Sequence, residues 1–469
     1  MTFKPTIPSL LDYRCPDWFR DAKFGIYVHW GPYSVAEHGE WYPRKMYIEG
    51  HPDYLHHLRH FGHPSEHGYK DLIPRWKAEK WNPDASLDLF RRAGARYFTP
   101  CALHHDNFDL WNSRHHRWNS LNFGPKRDIT GEWRRATLDA GLRFGVTTHA
   151  SRTWSWLQTS KRADRSGPKR GVPYDGNDPE YRDLYLDPSP DSDFRAPHNA
   201  PGHWRTHWVA RIKDLIDNYH PDHLYFDAAV PFLGEDNAAS GLDVIAHLYN
   251  HSLATHDGDQ QAVMCIKNVP NHGIYIDGVC TLDMELTRLD RIHPTPWQTD
   301  TSIGPWGYRA GSKYRPVTNL IHELIDIVSS NGNVLLNVPP RADGTLDAET
   351  VRILEQIGRW LDVNGDGIYG TRPWLTSGDG DVRFTRKADC VYVHFLSSPE
   401  DGLLCVPQLG WCRGVSEATE VALLGNDAPL RWGQSHEDCP QYSFLDAQLR
   451  VVLPEKKPCD HAWTLRVRF

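Results

Sequence analysis

Several things are scarce in this chain. Only 4 of its 469 residues are methionine. Its 9 cysteines (Cys15, Cys101, Cys265, Cys280, Cys390, Cys405, Cys412, Cys439 and Cys459) are odd in number, scattered and never spaced Cys-x-x-Cys. That argues against a disulfide-stapled scaffold or a zinc framework, and reduced thiols are expected. No apolar run approaches the ~20 residues of a membrane span. The start, MTFKPTIPSLLDYRCPDWF, has neither an apolar signal core nor a small-residue cleavage site. As given, the chain is expected in the cytoplasm, or in the periplasm or outside the cell if a leader was removed. There is no basic block, and the net charge is −8, so nucleic acid and membrane lipid are poor partners. No Gly-x-Gly-x-x-Gly opens the first helix, which counts against a dinucleotide-binding fold.

What is abundant is ring-bearing residues: 19 Trp, 20 Tyr and 27 His. A buried indole N–H needs a partner, so tryptophan is costly to place. Many Trp beside many His suggest a cleft with flat apolar platforms and neutral hydrogen-bonding groups. Carbohydrate clefts fit that description, although an aromatic-rich core fits it nearly as well.

Short apolar runs alternate with amphipathic stretches up to about residue 365. Strands are expected at Phe24–His29, Arg96–Ala102, Phe144–His149, His223–Asp227, Val263–Ile266, Val279–Met284 and Val334–Val338, with an eighth hidden near Pro296–Thr301. Helices are expected at Ser86–Ala93, Gly131–Leu142, Arg205–Tyr219, Leu242–Thr255, Pro316–Ser330 and Ala348–Asp362. Such alternation favours a (β/α)8 TIM-like barrel. Near Gly370 the pattern changes to short alternating runs such as CVYVHFL and HAWTLRVRF, as expected of a small C-terminal antiparallel β-sandwich. The expected division is a catalytic barrel over 1–369 and a sandwich over 370–469. The polar stretch Thr159–Pro201 reads as a loop or insertion.

Catalytic groups of such barrels sit at the C-terminal ends of strands. Here the expected strands end at or lead into His29, His104-His105-Asp106, His149, Asp227, and Asp283 with Glu285. Any one of these could instead cap a helix. Asp227 stands out: it follows an apolar strand, with no Lys or Arg within ten residues on either side. A carboxylate in that position can act as nucleophile or general base.

AKFGIYVHWGPYSV with GEWYPRKMY, ARYFTPCALHHDNFDLWNS, GPKRDITGEW, LYFD, PWQTDTSIG with PWGYR, NGNVLLNVPPRADG and NGDGIYGTRPW occur in order between about residues 14 and 376. In these segments the chain resembles glycoside hydrolase family 29, the retaining α-L-fucosidases. The resemblance implies a nucleophile at Asp227. It implies fucose-hydroxyl contacts from His29, Glu40 with Trp41, and His104 with His105, and a pocket-lining aromatic at Trp306. Tyr225 stands where the family often has Trp.

Three departures stand out. The family's Lys before the paired histidines is Leu103, and the Gly after the Asp is Asn107. A tyrosine pair at the third strand's end is replaced by Thr147-Thr148-His149, so His149 is expected to do the polar work. Trp-Glu-Thr is Trp297-Gln298-Thr299, and a glutamine cannot donate the proton. The acid must then lie elsewhere, and the resemblance of LDMELTRLD to the Asp-Tyr-Glu-Arg-Gly segment of family members that carry Trp-Gln-Thr-Asp implies Glu285 as the acid/base, with Asp283, Asp290 and Asp300 as runners-up. An alternative for Glu285 is a surface carboxylate paired with Arg288. The resemblance implies an exo-glycosidase acting on fucosylated oligosaccharides or glycosides by double displacement, without cofactor or metal. A hydrolase of a related sugar such as an α-L-galactoside, and a non-catalytic fucose-binding barrel, remain open alternatives. Linkage preference and oligomeric state are not encoded legibly.

Asp362-Val363-Asn364-Gly365-Asp366-Gly367 imitates a calcium loop, but its twelfth position is Pro373 rather than Glu. The histidines from His51 to His67 include an i, i+4 pair but no HExxH, and are expected on a solvated helix face.

Overall fold

The structure, a computed structural model, describes residues 2–189, 200–269, 273–410, 415–434 and 448–469. Eight parallel strands close into a barrel. They are β1 Phe24–Tyr27, a second strand in two pieces (β2 Tyr97–Phe98 and β3 Cys101–Leu103), β4 Arg143–Thr148, β5 His223–Phe226, β6 Val263–Lys267, β7 Thr281–Asp283, β8 Trp297–Ser302 and β9 Gly332–Asn337. Each pairs with its sequence neighbour, and β9 closes the ring on β1. The second strand is interrupted at Thr99-Pro100, where proline has no N–H to give the ladder.

The strands are buried on both faces, as in all-parallel sheets. The eighth strand of the sequence reading is β8, WQTDTS. It escapes hydropathy because Trp297 faces the helices while Gln298 and Asp300 face the interior, where polar partners wait. That lumen is filled by Tyr27, Tyr97, Tyr225, Cys265 and Leu335, all fully buried. Gly25 makes room for this packing: a Cβ there would stand 2.3 Å from the Tyr97 ring.

Three of the surrounding helices start on side-chain caps. Asn82 caps Pro83–Arg92, Asp128 caps Ile129–Asp139, and Asp347 caps Ala348–Asn364, each accepting from a backbone N–H of the first turn. No helix joins β7 to β8, so the segment after Asp283 is an extended loop. The stretch Thr159–Pro201 is more than a dangling loop; its described part is docked by phenols. Tyr47 and Tyr185 both donate to Asp175 (2.7 and 2.5 Å), and Tyr54 and Tyr174 to Asp164 (2.6 and 2.5 Å). Residues 190–199 of that stretch lie outside the described residues.

Beyond the helix Ala348–Asn364 the strands turn antiparallel. β10 Arg372–Asp379, β11 Val382–Lys387, β12 Cys390–Phe395, β14 Glu420–Leu423 and β17 Trp463–Arg468 form one sheet. β13 Leu403–Val406, β15 Arg431–Gln434 and β16 Leu449–Val452 form the other. Their inner faces share an apolar core around Phe384, Val393, Phe395, Val451 and Leu465. The unit is fixed to the barrel by Trp360 Nε1 on Ala462 O (2.8 Å) and by Arg383 Nε on Asp326 Oδ1 (2.6 Å). The described cysteines are free thiols; Cys412 and Cys439 lie outside the described residues. Among the described residues no helix is long and apolar enough to cross a membrane.

Candidate active site

A cavity of about 240 Å³ opens at the C-terminal mouth of the barrel. His29 follows β1, His104 and His105 follow β3, His149 follows β4, Asp227 follows β5, and Lys267 ends β6. Glu285 lies two residues beyond β7, and Asp300 lies on β8. Glu40 and Trp41 enter from the loop after β1 and Trp306 from the loop after β8. A parallel barrel delivers this convergence because all its strands end on one rim. Asp227 caps no helix, since the next one begins only at Ala239.

Asp227 is gripped from several sides. Arg152 Nη2 donates to its Oδ2 at 2.7 Å, His149 Nδ1 lies 3.1 Å from the same oxygen, and Lys267 Nζ binds Oδ1. Burial alone would raise the pKa of this carboxyl. Lys267, then His149 and Arg152, more than offset that and hold it well below the usual carboxylate range. Lys267 Nζ also binds Glu285 Oε2 at 2.6 Å and lies 3.8 Å from Asp300 Oδ2. Its three carboxylate neighbours keep this buried ammonium protonated well above its usual range despite desolvation. Sharing one ammonium confines the nearest oxygens of Asp227 and Glu285 to within about 5 Å of each other.

Glu285 is different in kind. Its side chain is 42% exposed. Its pKa is raised, first by desolvation and then by the neighbouring Asp300 and Asp227 charges, with Lys267 pulling the other way. Its backbone is pinned to β8: Met284 N donates to Gln298 O (2.9 Å) and Leu286 N to Asp300 O (3.0 Å). Arg288 pairs with Asp326 at 2.7 Å, so it is not the partner of Glu285.

The imidazoles form a neutral wall. Burial, then the neighbouring His149, lowers His29 to about 3. Burial and the adjoining imidazoles hold His104 well below its ordinary value, and burial with Arg152 does the same for His105. His29 Nδ1 donates to Asn337 Oδ1 (3.0 Å), which leaves its Nε2 with a free lone pair. Asn337 Nδ2 in turn donates to Trp306 O at 2.8 Å, so one amide ties the His29 imidazole to the backbone of the loop that carries Trp306. His105 Nδ1 is spent on the His149 carbonyl. His104 Nδ1 is buried without a protein partner among the described residues. Glu40 accepts from Gly307 N at 2.8 Å and is raised by its burial.

The structure brings His29, Glu40, Trp41, His104, His105, His149, Asp227, Glu285 and Trp306 to one cavity. Tyr225 is a correction. It shares Asp227's inward face at i, i+2, but one layer down, where its hydroxyl donates to Asp283 in the lumen (3.3 Å). Of the runner-up acids, Asp283 is buried under the pocket, Asp290 is exposed outside it, and Asp300 lines it. Gln298 is also a lumen residue, bonded to Asp283 (2.8 Å) and Tyr97 (3.2 Å). Asn107 takes φ +64°, a left-handed position that glycine and asparagine both tolerate. The histidines from His51 to His67 take no part in the cavity.

Sequence reading missed Lys267, Arg152 and Asn337. Lys267 carried a signal, a lone cation ending the apolar run VMCI, which the strand-end rule should catch. Arg152 carried none, lying three residues past His149 in a polar segment.

Residues 1–366 match the sequence model of the family described as alpha-L-fucosidase, and residues 377–468 that of the alpha-L-fucosidase C-terminal domain. The chain is similar to human plasma alpha-L-fucosidase, at 31% identity over 492 residues covering 99% of this chain and 92% of that protein. It is also similar to the crystal structure of Thermotoga maritima alpha-fucosidase in complex with a mechanism-based inhibitor (TM-score 0.78, 25% identity, all of both chains). With fucose bound, the T. maritima enzyme gives a TM-score of 0.74 at 26% identity, covering 99% of this chain and 100% of that one.

Proposed function

This chain belongs to the α-L-fucosidase family, and we propose that Asp227 is its nucleophile and Glu285 its acid/base. As a member of that family it is a glycoside hydrolase releasing α-L-fucose from a fucosylated substrate. The observation that carries the assignment is the shared ammonium. Asp227 and Glu285 both bind Lys267 Nζ, and the resulting separation suits the ~5–5.5 Å of a retaining pair rather than the wider gap of an inverting one.

The environments separate the roles. Asp227 stays ionised and attacks the anomeric carbon while the bond to the leaving-group oxygen breaks. Glu285, whose pKa is raised, delivers its proton to that oxygen. The glycosyl ester then removes the Asp227 charge, one of the repulsions holding Glu285 protonated. The pKa of Glu285 thereby falls, so once its proton is given up it stays ionised as general base; it takes a proton from water as the water oxygen bonds the anomeric carbon, the bond to Asp227 breaks, and fucose leaves with its configuration retained. The lone pair on His29 Nε2 and the unpaired His104 Nδ1 offer neutral partners to sugar hydroxyls. Trp41 and Trp306 offer apolar surfaces to the C6 methyl group.

Asp227→Ala should lower turnover of an aryl α-L-fucoside by at least ~10³-fold with the melting curve still cooperative. Glu285→Ala should cost ~10²–10⁴-fold on a natural glycan, far less on an activated aryl fucoside, and azide should restore rate as fucosyl azide. Wild-type rates in Asp227→Ala, or azide rescue in Asp300→Ala and not in Glu285→Ala, would overturn the assignment.

A further inference from the structure

The helix Gly202–Tyr219 leads into β5 and the helix Ala239–Thr255 leaves it. The two are joined by polar rungs that run down the outside of the barrel towards the end opposite Asp227. One rung is an ordinary ion pair, Lys213 Nζ with Asp243 Oδ2 at 2.7 Å. The next is not. His247 and His251 stand at i, i+4 on one face of their helix, and both turn to Asp217. His247 Nε2 lies 2.6 Å and His251 Nδ1 3.5 Å from Asp217 Oδ1. The three ligand-capable atoms lie within 4.8 Å of one another. We propose that Asp217, His247 and His251 form a structural site for a divalent transition metal, with Zn2+ as the cation of matching chemistry.

Two imidazole nitrogens and one carboxylate oxygen are a borderline-soft donor set, suited to Zn2+ at ~2.0–2.2 Å. Ca2+ and Mg2+ prefer more oxygen ligands than the cluster offers. The side chains of Asp217, His247 and His251 are 44%, 29% and 18% exposed, which leaves a water free to fill the fourth position.

Ligand nitrogens and oxygens around tetrahedral zinc stand about 3.3 Å apart. The Asp217–His251 spacing of 3.5 Å is already near that. The Asp217–His247 contact must open, and the half-exposed carboxylate can rotate to do so, while the two imidazole nitrogens already lie within 4.8 Å of each other. A third imidazole, that of His220, supplies orientation. His251 Nε2 lies 2.5 Å from His220 Nδ1, with the two rings stacked at 4.8 Å. A proton on Nε2 donated to His220 leaves His251 Nδ1 bare and aimed at the carboxylate, the arrangement that orients metal-binding histidines. The bound cation would staple the helices on either side of the nucleophile's strand without touching the pocket.

The test is Zn2+ titration of untagged protein by calorimetry, with and without saturating fucose. The fucose arm is needed because His29, His104 and His149 form another possible cluster inside the sugar pocket. The expected result is one site per chain that fucose does not displace, with Tm raised by about 3 °C at a hundredfold excess over Kd. Turnover of an aryl fucoside should be unchanged by that occupancy, and the site should be lost in His247→Gln/His251→Gln. Unchanged turnover in the double variant verifies its fold. Absence of fucose-insensitive binding, or its persistence in the double variant, overturns the proposal.

Discussion

Two carboxylates of one barrel, Asp227 at the mouth and Asp283 in the lumen, meet opposite fates. Both are largely withdrawn from water, and desolvation raises the pKa of each. Asp227 has Lys267, Arg152 and His149 against it and ends well below its ordinary range. Asp283 is met by neutral donors, the Gln298 amide (2.8 Å) and the Tyr225 hydroxyl (3.3 Å), and by the like charge of Asp300; Lys267 acts only more weakly, and it ends well above. Distance from the rim therefore does not decide which acid is ionised; the placement of two cationic side chains does. The mouth holds separated charge ready for a reacting sugar, while the lumen holds a neutral hydrogen-bonded layer that supports it.

Removing a cation strikes hardest at this contrast. Lys267→Met should cut kcat/KM by about 10²-fold, since it strips a preorganised charge from the reacting centre. It should also move the pH profile in a defined direction. Lys267 lowers both carboxyls, so without it the acidic limb, set by Asp227, and the alkaline limb, set by Glu285, both shift to higher pH. A uniform loss with both limbs in place would mean that Lys267 serves packing alone. His149→Ala should be milder, about tenfold in kcat/KM. Arg152 remains on Asp227 Oδ2 at 2.7 Å, and only the acidic limb should move upward. An effect equal to that of Lys267→Met would place the imidazole among the principal counter-charges.

The same contrast explains what could be read from the sequence. The barrel and its pocket acids were legible because period and strand ends are local: His29, His149 and Asp227 each close an apolar run. The resemblance supplied Glu40, Trp41 and Trp306, which sit on loops where periodicity says nothing. Tyr225 was misplaced because two residues along a strand change the layer but not the face. The strand β8 was blurred for a related reason, since its inward side chains answer to lumen partners from β2 and β7 rather than to solvent. Arg152 was invisible because its partner is 75 residues away and nothing in the local sequence distinguishes this buried arginine from those at the surface.

The smallest effect on catalysis should come from Asp283→Asn, and it tests the lumen side of the comparison. A carboxyl already protonated in the folded state loses no charge on becoming an amide, so kcat should stay within about threefold of wild type. Stability should respond instead. A folded pKa above the unfolded ~3.9 means that the native state binds the proton more tightly. The stabilisation is complete below that value and declines as pH rises towards the folded pKa. Asparagine removes the dependence, so its Tm relative to wild type should be higher at pH 7 than at pH 4. If the difference reverses, with the variant relatively less stable at pH 7 than at pH 4, Asp283 is ionised like Asp227. The boundary between charged mouth and neutral lumen would then lie one layer deeper.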